Sequence, residues 1–226
     1  MATIVEHWTH SGPVQAPEDV PRERIAREEV RAAATVADAA PLGLLGFATG
    51  TFTLSAIATG FFVPSTIPYA VPVVLVFAGL AQFIAAMWAF RRGDTLAATA
   101  FGAFGSFNVT FAMYELVMHP ATLAGSANAA PVAGIWIACF SYIALFLFVA
   151  ALRRSVMLSL VLLALAGAYG FLAADVFVGG GTVLMNVGGW CGIASSILAF
   201  YCATATVINS ENMSAVLPLG SMHRVS

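Results

Sequence analysis

The groups able to do chemistry in this chain are few, neutral and set in apolar sequence. Phe47, Thr51 and Ser55 recur at four-residue steps and share one helix face; Phe104 and Asn108 share another, Leu165 and Tyr169 a third. Each face sets a bulky apolar side chain one turn before a polar one, and Gln82 adds a second carboxamide inside an apolar run. Hydroxyls, amides and a phenol in such surroundings form hydrogen bonds; none is activated for covalent chemistry. Serine and threonine hydroxyls satisfy carbonyls of their own helix, so most of Thr49, Thr51, Thr53, Ser55 and Thr59 need no further role. Asn108 and Gln82 do this less easily, and each either braces two helices or lines a path for a polar solute. On spacing alone, the three faces read as common core packing.

Several chemistries are excluded by composition. All 9 basic residues are arginine, so no lysine amine exists to form a Schiff base. His7, His10, His119 and His223 all lie outside the apolar segments, which removes axial ligands for an intramembrane haem and the base or zinc ligand of an intramembrane protease. Cys139, Cys191 and Cys202 stand singly, without CxxC spacing, and read as inert buried thiols. No cofactor, metal or enzymatic centre is expected. A formal charge of -2 and a pI near 6.0 leave no basic face for nucleic acid.

The elements that position these groups are membrane helices. The 226 residues are 60% hydrophobic and 9% charged, where a soluble domain carries about 25% charged residues. With a mean hydropathy of +0.91, the chain is an integral membrane protein with the lipid bilayer as its surroundings. Residues 1–38 hold seven of the 11 acids, four arginines and prolines at 13, 17 and 21, and form a polar tail rather than a cleavable leader. Within it Glu23 to Ala37 suits a short solvated helix. Residues 39–210 form the transmembrane domain and 211–226 a C-terminal tail.

Uncharged stretches of about 20 residues are needed to span a bilayer. They predict helices over Pro41–Phe62, Tyr69–Phe90, Thr95–Tyr114, Ala130–Leu152, Ser155–Ala174 and Val183–Ile208, with Pro64 and Pro68 breaking the first from the second. Arg91, Arg92, Arg153 and Arg154 fall in alternate connections, so that side and both termini are cytoplasmic by the positive-inside rule. Phe90-Arg91-Arg92-Gly93 and Leu152-Arg153-Arg154-Ser155 lie 62 residues apart, which suggests three successive hairpins with helices one, three and five in equivalent places. Frequent glycines let these helices approach closely, because dispersion has to hold them together in lipid.

Five ordered motifs carry a family resemblance. Ala40-Pro41-Leu42-Gly43-Leu44-Leu45-Gly46-Phe47 resembles the opening signature of the acetate uptake transporters, the succinate/acetate permease family. Gly79-Leu80-Ala81-Gln82 resembles the family's GGxAQ, Phe90 to Thr95 its YKKGNTF loop, Thr99 to Phe107 its TAFxSYGxFW, and Val216-Leu217-Pro218-Leu219-Gly220 its VLPLG. The resemblance spans residues 38 to 220 and implies an all-α, six-helix protomer assembled as a homo-hexamer, with a path for small carboxylates such as acetate and succinate. It also implies an apolar collar, which falls here on Phe47, Phe104 and Leu165. Thr51, Ser55, Gln82, Asn108 and Tyr169 then lie along the path.

The chain departs from that pattern in places. Asp38 stands where the signature opens with asparagine, ahead of Pro41, Leu42 and Gly43, and its charge opposes anion capture unless it is paired or protonated. Phe104 replaces the collar tyrosine, Asn108 a tryptophan, and Ala89 a glutamate before the basic loop. With no arginine deep in the helices to offset desolvation of an anion, the expected mechanism is passage through weak hydrogen bonds past a water-excluding collar. A carboxylic acid titrates near pH 4, so uptake rises as external pH falls, by neutral-acid passage or proton symport. Asp38, Glu115 and Asp175 lie at helix ends as candidate proton sites, although solvation at the interface is the simpler reading. The rival functions are a non-conducting structural or regulatory protein, and a channel for ammonia or water. All-arginine usage and the absence of a leader fit a bacterial inner membrane.

Overall fold

The computed structural model describes residues 36–118 and 129–220. Helix α1 runs Ala40–Ala58, α2 Pro64–Arg91, α3 Thr95–Met113, α4 Ala129–Ala151, α5 Val156–Phe177 and α6 Val183–Glu211. Among the described residues, six helices are long and apolar enough to cross a membrane, and no strand occurs. The expected solvated helix, Glu23 to Ala37, lies outside the described residues but for its last two positions, and all four histidines lie outside them.

Helix ends differ from the expected ones for identifiable reasons. α1 stops at Ala58, short of Phe62, because Gly60 takes a left-handed φ of +81° that turns the chain out of the helix. Pro64 and Pro68 do fall at the break between the first two helices, but they open α2, which starts at Pro64 and not at Tyr69, since first-turn N–H groups have no helical partner to lose. Pro72 falls deeper and does remove a helical donor, and one residue past Val73 the chain widens into a π-helix over Val74–Ala81 before resuming α-geometry at Gln82. α3 likewise ends in a π-turn, Tyr114–Met118.

α6 packs along α1 and α5, α4 along α5, and α2 against α1 and α3, while α3 and α4, the middle pair of the expected three hairpins, touch only slightly. α1, α3 and α5 all begin at the end that carries Arg91, Arg92, Arg153 and Arg154, here called the arginine end. Two close approaches set the spacing around α1. A Cβ on Gly46 would lie 2.5 Å from the Phe77 carbonyl oxygen in the π-stretch, and one on Gly192 would lie 2.1 Å from Ser55 Oγ. Only a residue without a side chain lets α2 and α6 come this near.

Two devices tie the arginine end together. Asp94 accepts the Ala97 N–H at 3.0 Å as the cap of α3, and both its oxygens take the Arg154 guanidinium, with Nη1 to Oδ1 at 2.6 Å. That hydrogen bond is the main cause holding the Asp94 carboxyl below its ordinary pKa, with the Ala97 amide adding to it and partial burial opposing. The pair contributes stability above the ordinary carboxylate pKa of about 4 and loses it as pH falls below that. Asp94→Asn is expected to lower stability by no more than about 1 kcal/mol at neutral pH, since the pair is part exposed, and to remove this acid sensitivity; thermal unfolding at pH 7 and pH 3.5 checks both.

The second device is the chain after α6, which folds back as a strap. Asn209 pairs with Leu217 through both its amide groups, the Tyr201 hydroxyl donates to the Pro218 carbonyl, Ser155 Oγ to the Leu219 carbonyl, and the Val156 N–H to the Gly220 carbonyl.

Candidate functional site

Three cavities lie in series along α1, α3 and α5. The cavity toward the arginine end, about 240 Å³, is lined by Leu44 of α1, Phe101 of α3 and Leu162 of α5, with Asp38, Arg154 and Leu219 among the residues at its mouth. A central cavity of about 30 Å³ takes the same Leu44, Phe101 and Leu162 together with Phe47, Phe104 and Leu165 one turn further on. The far cavity, about 220 Å³, begins at Leu165 and continues past Thr51, Ser55, Asn108 and Tyr169 to Asp175. The order follows from the parallel run of the three odd helices, each of which presents successive turns of one face to the same axis.

Phe47, Phe104 and Leu165 are 3%, 2% and 1% exposed, so all three point into the bundle and not at lipid. The Phe47 and Phe104 rings stand 6.1 Å apart, tilted at 43°. Tyr169 stacks on Phe104 at 6.3 Å, and Phe107 packs against both Tyr169 at 4.8 Å and Trp136 at 4.9 Å, forming an aromatic wall on the far cavity. The structure therefore brings the three bulky positions to one small cavity, and sets Thr51, Ser55, Asn108 and Tyr169 on its far side. Gln82 is fully buried and lines the central cavity.

The carboxamides meet between α2 and α3. Asn108 Nδ2 donates to the Phe104 carbonyl at 2.9 Å and lies 3.4 Å from both the Ala78 carbonyl and Gln82 Oε1. The Ala78 carbonyl belongs to the π-stretch of α2. The Ser195 hydroxyl donates to the Val161 carbonyl and that of Ser141 to the Ala166 carbonyl, which fixes α6 and α4 against α5.

The opening signature divides its work. Pro41 sits in the first turn of α1, where its missing N–H is harmless. Leu42 is 41% exposed on the outer surface of the bundle, while a Cβ on Gly43 would meet the Phe101 ring at 2.7 Å, so the glycine leaves that ring its place. Asp38 Oδ1 accepts the Ala40 N–H at 3.0 Å, and its charge adds to that of Asp94 in holding the Arg154 pKa up.

Two expectations are corrected. Asp175 is not a solvated interfacial carboxylate: it is 4% exposed, and its oxygens accept the Gly181 N–H at 3.0 Å and the Thr182 N–H at 2.8 Å, closing the glycine turn into α6. Cys139 is exposed on the outer surface of α4 and only Cys202 is fully buried. Sequence reasoning also missed a second set of three, Leu44, Phe101 and Leu162, although each lies three residues before a residue of the first set, on the same helix face.

Among known proteins, the chain is 29% identical over 188 residues to the succinate-acetate/proton symporter SatP of Escherichia coli K12, covering 83% of this chain and 97% of that one. It is 27% identical over 198 residues to acetate permease A of Emericella nidulans, covering 81% and 65%. A solved structure of the bacterial acetate channel SatP superposes with a TM-score of 0.74 at 29% identity, over 81% of this chain and 99% of the other. These relatives are transporters or channels, not enzymes. With six membrane-competent helices and a profile match over residues 26–224, the chain belongs to the GPR1/FUN34/yaaH family.

Proposed function

We propose that the chain carries small carboxylic acids, acetate foremost and succinate second, through its own helix bundle. Phe47, Phe104 and Leu165 form the constriction; Thr51, Ser55, Gln82, Asn108 and Tyr169 offer hydrogen bonds along the way. The observation that supports this most is the series of three cavities on one axis, narrowing to about 30 Å³ at the apolar side chains. The transport names of the relatives supply the substrate class.

Among the described residues, no arginine lines the central or far cavity, and Asp175 places a carboxylate in the far one. A bare anion there would be unpaired and poorly solvated, so passage is coupled to a proton, either on the acid itself or alongside it. Asp38, Pro41, Leu42 and Gly43 form the signature at the arginine end, which faces the cytoplasm of a bacterial inner membrane by the positive-inside rule. The protomers form a homo-hexamer through their outer surfaces, where α4 carries Ile135, Tyr142 and Phe146 outward.

Labelled acetate uptake into proteoliposomes tests the reading. Flux above empty liposomes is expected, rising as external pH is lowered from 7 toward about 5. Unlabelled succinate should compete and ammonium should not. Absence of acetate flux, or competition by ammonium alone, would refute it.

A further inference from the structure

We infer that the central cavity is a chamber for one carboxyl group, with Gln82 Nε2 as its donor and Asn108 as the residue that positions it. The chamber lies between two apolar rings, Leu44/Phe101/Leu162 and Phe47/Phe104/Leu165. Its volume of about 30 Å³ holds roughly two oxygen-sized atoms. Gln82 is the polar side chain on its lining, and Gln82 Nε2 is the one buried side-chain N or O atom without a hydrogen-bond partner among the described residues. A buried donor left unmade is unfavourable, and proteins keep such groups where function uses them.

The orientation of that donor follows from its neighbour. Asn108 Nδ2 is committed by the Phe104 and Ala78 carbonyls, since reversing the amide would set oxygen against two carbonyl oxygens. One Nδ2 hydrogen goes to the Phe104 carbonyl and the other is shared between the Ala78 carbonyl and Gln82 Oε1, so Gln82 answers with oxygen. Reversing Gln82 would oppose two NH2 groups, so Nε2 is held free for an acceptor. A carboxyl oxygen fits this donor, with the methyl of acetate against the ring side chains. The chamber thus makes hydrogen-bond acceptance a condition of passage.

The inference rests on the transport reading above, and the test separates the two. Full-length protein carrying Gln82→Met, Asn108→Leu or both is reconstituted, with acetate flux scaled to folded protein and thermal unfolding measured in parallel. Gln82→Met is expected to leave the unfolding temperature unchanged or raised, because it removes an unmade donor, while acetate flux falls about tenfold. Asn108→Leu should lower flux comparably, yet change it less than twofold in the Gln82→Met background. A fall in unfolding temperature with Gln82→Met, unchanged flux, or losses that multiply in the double variant would overturn the chamber. If those results appear while Leu165→Ala still alters acetate selectivity, the path stands without it. If wild-type protein carries no acetate, both fall.

Discussion

Leu165→Ala is expected to favour succinate and to admit longer carboxylic acids, raising their uptake relative to acetate by at least about tenfold. Leu165 is 1% exposed and lines both the central and the far cavity, so truncating it merges the two spaces on the narrowest side. Two arguments set the size of the effect. An apolar pocket discriminates one methylene by about 10- to 200-fold, and the substitution removes three carbons from the ring. The same loss of buried contacts makes the variant less stable by about 2 to 5 kcal/mol, so flux must be compared per folded protein. Competition between labelled acetate and a ladder of unlabelled acids reads the result. Unchanged selectivity would remove Leu165 from the constriction.

Gly46→Ala should have the largest effect on folding, with most of the protein lost from the membrane fraction or unfolding many degrees lower. Its added methyl would stand 2.5 Å from the Phe77 carbonyl oxygen, which is backbone and cannot rotate away. α1 and α2 must then separate, at a cost of about 1 to 3 kcal/mol or more, and Gln82 moves with α2. Gly102→Ala is the control. Its nearest neighbour would be Ala86 Cβ at 3.8 Å, an ordinary contact, so the better helix propensity of alanine should leave stability equal or raised by about 0.5 to 1 kcal/mol. Thermal unfolding of the two purified variants in detergent distinguishes them, and equal behaviour would contradict the packing argument.

The topology was legible because hydrocarbon imposes it: apolar runs between arginine pairs are helices, whatever their tertiary partners. The three bulky positions were legible for a related reason, since four-residue steps fix which residues share a face. What escaped depends on the third dimension. Pro72 is visible in the sequence, but the π-stretch after it lies against Gly46 of α1 and, at its own Gly79, against Val109 of α3, contacts that no local pattern announces. The Asp94–Arg154 pair joins residues 60 apart, and nothing local distinguishes Arg154 from Arg91, Arg92 or Arg153. The two arginine turns look alike in sequence yet differ in build: Gly93 turns with φ +71°, whereas Ser155 caps α5 through its side chain. Asp175 looked like a helix-end carboxylate in water because the Gly181 and Thr182 groups that satisfy it lie six and seven residues on, across a glycine turn whose path is not local. The second ring, Leu44, Phe101 and Leu162, repeats the first one turn earlier, but Ala48, Gly105 and Ala166 one turn on give it no polar partner to mark it.

Sided thiol labelling tests the central claim most directly, that one apolar throat divides two cavities on a single path. In protein whose Cys139, Cys191 and Cys202 have been replaced, Thr51→Cys opens to the far cavity and Ala97→Cys to the arginine-end cavity. A charged, membrane-impermeant thiol reagent should modify the first only from the far face and the second only from the arginine face, and each modification should block acetate flux. Modification of either position from both faces, or full modification without loss of flux, would contradict the account.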